Sequence, residues 1–162
     1  MEVESIVLPQ KLGKMLRKKA EETGYLPEDL GIEFVLRGLN EDIDPEDLVE
    51  HYQLLSESYL TEARKMLQAG DLVQASEKLW GASALAVKAI AAKRGLKLEQ
   101  HGSLWNFVST LSTERRDEDS SLYFSVANSL HRNVYEDQMN KEVIELLARR
   151  IETLIAKLLE IL

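Results

Sequence analysis

The sequence has no cysteine in its 162 residues. That excludes disulfides and thiolate metal sites and fits a reducing or hot intracellular setting. No apolar run approaches the ~20 residues that span a bilayer as a helix. The opening MEVESIVLPQ lacks the basic and apolar regions of a signal peptide, so the cytoplasm is the expected compartment. Histidine is scarce: His51, His101 and His131 only. None lies four residues from another, and H-E-x-x-H does not occur. Asn40-Glu41-Asp42-Ile43-Asp44 lacks the central glycine and distal glutamate of a calcium loop. No metal and no cofactor is therefore expected. G-x-S-x-G, G-x-G-x-x-G and G-x-x-x-x-G-K-[ST] are absent too, which removes the serine elbow and the phosphate-cradling loops.

Basic charge is also in short supply, with 20 Lys and Arg against 28 Asp and Glu and a formal net charge of −8. A general nucleic-acid binder needs clustered cations to neutralise phosphate. Two local patches exist: Lys11, Lys14, Arg17, Lys18 and Lys19, and then Arg115-Arg116, which acids flank closely. Nucleic acid or nucleotide binding thus has little support from charge. Abundant Glu, Lys and Arg without cysteine would suit a thermophile.

What remains is helical periodicity. Residues 3–8, β-branched and ending at Pro9, read as one short strand. A helix is predicted from Pro9 to Thr23, stopped by Gly24, and a second from Pro27, with Glu28 and Asp29 suiting its positive end. Leu30, Phe34 and Leu36 to Leu39 form its expected buried side. Asp44-Pro45-Glu46-Asp47 opens the next helix, which Gly70 ends. Asp71 caps a helix running to about Arg94 that is apolar on most of its circumference and rich in alanine. It is the predicted centre. A short helix follows His101, and residues 112–120 read as a loop. Another helix spans about 121–135, with Leu122, Val126, Ala127 and Leu130 inward. The last starts at Asn140, and its broad apolar stripe implies deep burial or a dimer contact. The fold expected is all-α, an antiparallel up-and-down bundle over residues 44–162 with a strand–helix–helix appendage at 1–40.

His131-Arg132-Asn133-Val134-Tyr135-Glu136 is the densest polar cluster. Arg, His and Asn together can hold a phosphate or place a general acid; equally, they can form a solvated helix end whose cations favour the dipole. His101 has the same ambiguity ahead of its helix. Lys88 stands among Ala, Val and Ile. Its ammonium either leaves along a wet edge or meets a carboxylate, for which Glu136 is a candidate.

The run from Asp44 to Gly95, with GDLVQASEKLWGAS within it, then His101 and LHRNVYE, resembles the archaeal PaREP family. That family is similar in layout to the HEPN (higher-eukaryote-and-prokaryote nucleotide-binding) helical domains. The resemblance implies a bundle that is usually dimeric, and a class containing RNases, toxins and partners of nucleotidyltransferases. Its RNases use an Arg, a polar residue and a downstream His. Arg132 and Asn133 match the first two, and no histidine follows. Lys78, Lys88, His101, His131, Arg132, Asn133, Tyr135 and Glu136 match the family's polar positions as binding candidates, with no catalytic residue assigned. Residues 3–40 also resemble a ribbon-helix-helix unit. The exposed strand positions would be Val3, Ser5 and Val7, which offer little to base edges, so dimerisation is expected before DNA reading. The functional expectation is a non-catalytic binding and assembly module, homodimeric, with a nucleotidyltransferase or an antitoxin-like protein as a further partner. The alternatives are a degenerate RNase and a DNA-binding regulator.

Overall fold

The structure, a computed structural model, describes residues 4–23, 26–98 and 101–162. Seven helices lie among these: α1 (Gln10–Thr23), α2 (Pro27–Leu39), α3 (Pro45–Ala69), α4 (Leu72–Lys93), α5 (His101–Arg115), α6 (Glu118–Glu136) and α7 (Lys141–Glu160). Side chains of His101 and Gly102 are outside the description, as is the stop expected at Gly24. No described helix is long and apolar enough to cross a membrane.

Local chemistry sets the helix ends. The Asp44 carboxylate accepts from the Glu46 amide at 2.9 Å, and Pro45 supplies a first residue that needs no amide partner. Gly70 adopts φ +78°, which frees its amide and that of Asp71 to close on Leu67 and Met66 carbonyls. Asp71 then caps α4 through the Gln74 amide, and Asn140 caps α7 through Val143. Gly95, at φ +71°, ends the turn after α4 in the same left-handed way.

Helix α4 is the axis. Sixteen of its 22 residues are buried, from Ala75 through Ala92 with only Glu77 and Lys78 left out. It packs on α3, α5, α6 and α7. Alanine, serine and glycine make this possible, because small side chains let neighbouring backbones close in. The closest approach is to α3. There the Ser56 hydroxyl donates to the Ala82 carbonyl at 2.7 Å, and Gly81 faces the Tyr59 ring. Buried Ser83 and Ser76 donate to carbonyls one turn back, at Leu79 and Leu72, so neither hydroxyl is orphaned. An aromatic seam closes the other side. The Phe124 ring, fully buried, meets Trp105 edge-on at 5.0 Å and Trp80 at 5.8 Å.

The strand predicted over residues 3–8 is corrected. Residues 4–9 are irregular and exposed, Ile6 and Val7 most of all. A lone strand leaves its amides and carbonyls unpaired, and the described residues offer no second strand. The loop predicted over 112–120 shrinks to Arg116 and Asp117. Arg116 adopts φ +52°, and the Ser112 hydroxyl donates to the Asp117 carbonyl at 2.6 Å, which turns the chain in two residues. The broad stripe on α7 has an inward explanation: Ile144, Ala148, Ile151, Leu154, Ile155 and Leu158 are buried in the chain's own core. Leu122 points outward, and Phe124 takes the inward place expected of it. Phe34 and Leu39, expected inside, are exposed as well.

A methyl group at Gly81 would sit 2.6 Å from two carbons of the buried Tyr59 ring. Gly81→Ala should therefore destabilise the chain by about 1–3 kcal/mol in urea denaturation, despite alanine's better helix propensity. Adding Tyr59→Phe should not relieve the loss, since the ring and not the hydroxyl is in the way. A Gly81→Ala chain as stable as the parent would contradict the close approach.

Candidate functional site

The eight polar positions singled out from the sequence fall into separate places. At the end of α6, His131 lies against the Trp80 indole with ring centres 4.7 Å apart, and Tyr135 meets His131 edge-on at 5.8 Å. Arg132 and Glu136 pair across one turn at 3.4 Å on the exposed side. Tyr135 is exposed, and partial burial with the charges of Glu21 and Glu77 moves its phenol pKa upward. Asn133 is turned inward and buried. Its amide nitrogen donates to the Ser76 hydroxyl at 3.0 Å, and its carbonyl oxygen accepts from the Gln138 and Met139 amides at 2.9 and 3.0 Å. One side chain thus ends α6 and ties it to α4. Neighbouring Arg132 and Asn133 accordingly point to opposite environments, and no single cleft receives both.

Lys78 belongs elsewhere. It pairs with Glu62 of α3 at 2.8 Å and stands over the Tyr59 ring at 4.1 Å, a cation–π contact. The backbone of His101 opens α5, and its side chain lies outside the described residues.

Lys88 has the most distinctive environment. Its ammonium is buried in an ion pair with Asp29, from the first turn of α2. Neither the wet edge nor Glu136 accounts for it. Asp29 also faces His51 and Tyr52 of α3, while its neighbour Glu28 faces Tyr59, two turns further along that helix. Burial, reinforced by the facing Asp29, pushes the Tyr52 hydroxyl far above its usual range. Burial with the facing Glu28 does the same to Tyr59. Burial lowers the His51 pKa, against the opposing pull of Asp29 and Glu28. Glu28 Oε2 and His51 Nε2 are each buried without a hydrogen-bond partner. Beside Tyr52 and Lys88 opens a cleft of about 160 Å³, walled by Pro45, Leu48, Ala92 and Leu96. That is well below the ~300 Å³ at which small-molecule pockets begin. No group of three or more His, Asp or Glu able to hold a metal occurs among the described residues.

A family model for the archaeal PaREP1/PaREP8 family matches residues 51–155. The chain belongs to that family. The match begins at His51 and includes α4, the Asn133 tether and most of α7, and it excludes α1 and α2. A crystal structure of a protein from Sulfolobus solfataricus shares the fold. It is 23% identical with a TM-score of 0.59, and the likeness covers 65% of this chain and 94% of that one. No curated protein matches. In this PaREP1/PaREP8 chain the buried charge cluster therefore joins residues inside the family match to acids outside it.

Sequence reading missed Glu28, Asp29, His51, Tyr52 and Tyr59. The acids had a sufficient local reason, the helix dipole, and tyrosines at helical spacing on an amphipathic helix are ordinary core residues. The usable signal was Lys88 itself: a lysine inside an apolar run requires a counterion from somewhere.

Asn133→Ala would leave two backbone amides without their acceptor, and should cost about 2 kcal/mol in chemical denaturation. Arg132→Ala, losing only an exposed pair, should stay within about 0.5 kcal/mol of the parent. Equal stabilities for the two variants would refute the structural role of Asn133.

Proposed function

We propose that this chain is a non-catalytic assembly module of the PaREP1/PaREP8 family, a HEPN-like bundle that pairs with a second copy through residues 1–40. One observation carries the reading. Among the described residues, eight of the fourteen exposed large apolar side chains lie between positions 6 and 39, on α1, α2 and the segment before them. The bundle contributes only six, scattered over roughly three times the length. An apolar surface that dense marks an interaction site.

A second copy is the fitting occupant. A two-fold contact applies the same patch to itself, so it needs no complementary pocket elsewhere. Most of the wide stripe of α7 is taken up by the core, which leaves Val143 and Leu146 as its exposed large apolar side chains. On the catalytic side, the amide of Asn133 is engaged in three structural hydrogen bonds, which supports a non-catalytic reading.

Light scattering coupled to size exclusion should give twice the chain mass at micromolar concentration. Met15→Glu with Val35→Glu should weaken pairing by about 100-fold or more while keeping the helical circular dichroism. Leu122→Glu, which places the same charge on an exposed apolar site of the bundle, should leave the dimer intact. A wild-type chain that elutes as a monomer sinks the proposal.

A further inference from the structure

Charge is matched between helices at several places in the bundle. Arg64 pairs with Glu152, Lys78 with Glu62, Arg94 with Glu114 and Lys157 with Asp117. Two stretches nearer the N-terminus break that pattern. Residues 5–20 hold Lys11, Lys14, Arg17, Lys18 and Lys19 and no acid, while residues 41–50 hold six acids and no cation. All five cations of α1 are exposed, and none forms an ion pair among the described residues. Glu41, Asp42, Glu46 and Asp47 are exposed and unpaired in the same sense, whereas Asp44 uses its carboxylate to cap α3.

Each stretch also carries apolar surface. Leu12 and Met15 are exposed on α1, and Leu39, exposed as well, directly precedes the acids. Among the described residues the backbone of α1 comes close to α2 and to no other helix. Its outer face, cations included, is uncovered.

The charge pattern selects the occupant of that face. Laying α1 on α1 of a second copy sets five cations against five, with only Glu21 and Glu22 to offset them. A nucleic acid or an anionic membrane attracts α1 but repels the acidic stretch and a chain of net charge −8 as a whole. A second copy turned so that its acidic stretch lies on α1 has neither fault. Two-fold symmetry makes that contact twice, because each copy offers one basic and one acidic stretch. Opposite charges facing across an interface also fix its register.

We infer that two copies pair reciprocally, α1 of each lying on residues 39–47 of the other. Lys11, Lys14 and Lys18 meet Glu41, Asp42 and Glu46, while Leu12 and Met15 meet Leu39. This rests on the pairing reading and names the complementary halves of that contact.

The test is sedimentation equilibrium on the full chain. Raising sodium chloride from about 50 to about 500 mM should weaken wild-type pairing about tenfold or more, because screening removes the attraction. Lys11→Glu with Lys14→Glu and Lys18→Glu should pair about 100-fold more weakly than wild type, and so should Glu41→Lys with Asp42→Lys and Glu46→Lys. Mixed in equal amounts, the two triple variants should form a one-to-one heterodimer in native mass spectrometry. In that mixture an α1 made acidic faces a stretch made basic, and the unaltered α1 faces the unaltered acids. Recovery in the mixture shows at the same time that both variants are folded. If circular dichroism shows either variant unfolded, the salt series on wild type decides. A wild-type dimer that ignores salt, variants that pair as wild type does, or folded variants that stay monomeric when mixed overturn this inference. Each of those outcomes returns the cations of α1 to a polyanion and leaves pairing by apolar contact standing. A wild-type monomer sinks the pairing reading and this inference with it.

Discussion

The near-total burial of α4 is the constraint on which the rest of this molecule depends. A helix sheathed on all sides can carry no large polar surface and few large side chains, because four neighbours must reach its backbone at once. Ala82, Ala84, Ala86, Ala89, Ala91 and Ala92 meet that demand, and Gly81 extends it where Tyr59 lies flat on the helix. The same constraint explains why Ser56, Ser76 and Ser83 are tolerated inside. Each hydroxyl has a carbonyl within 3.0 Å, so burial leaves nothing unsatisfied.

Lys88 is where that rule is broken, and the exception organises the N-terminal third of the chain. An ammonium held in the wall of α4 without a counterion would destabilise the bundle strongly. The α1–α2 hairpin is therefore held to the bundle by charge as well as by Leu26, which packs on the core. Its orientation follows: the acidic first turn of α2 faces in, and Phe34, Val35 and Leu39, farther along, face out. An anchoring requirement on one side of a short helix thus leaves an apolar surface on the other.

Much of this was legible from residue patterns. The caps at Asp44, Asp71 and Asn140, the stops at Gly70 and Gly95, and the central place of α4 all follow from local chemistry that acts within a turn or two. The strand was misread because β-branched composition over residues 3–8 reports a preference, while a strand also needs a partner ladder that no local window reveals. The Arg116 turn was over-long for the opposite reason: charge density resembles a loop, yet Ser112 and Asp117 close it in two residues. Long-range pairing was the least legible of all. Glu136 seemed a reasonable counterion for Lys88, whereas the observed one, Asp29, lies 59 residues away in a segment outside the family match. Asn133 shows the same limit at the level of a single side chain. Beside Arg132 it reads as a binding candidate at a family polar position, and only the fold shows its amide spent on Ser76, Gln138 and Met139.

The proposed pairing and the buried ion pair share one piece of chain, so their energetics would be linked. Pairing through Met15 and Val35 would bury the outer face of the hairpin without touching Asp29, whose carboxylate stays on Lys88. A dimer formed with the hairpins docked would keep the ammonium neutralised, whereas one that exchanged or lifted them would leave Lys88 in need of another counterion. The buried ammonium, being too costly to leave alone, therefore favours the assembly that keeps each hairpin docked.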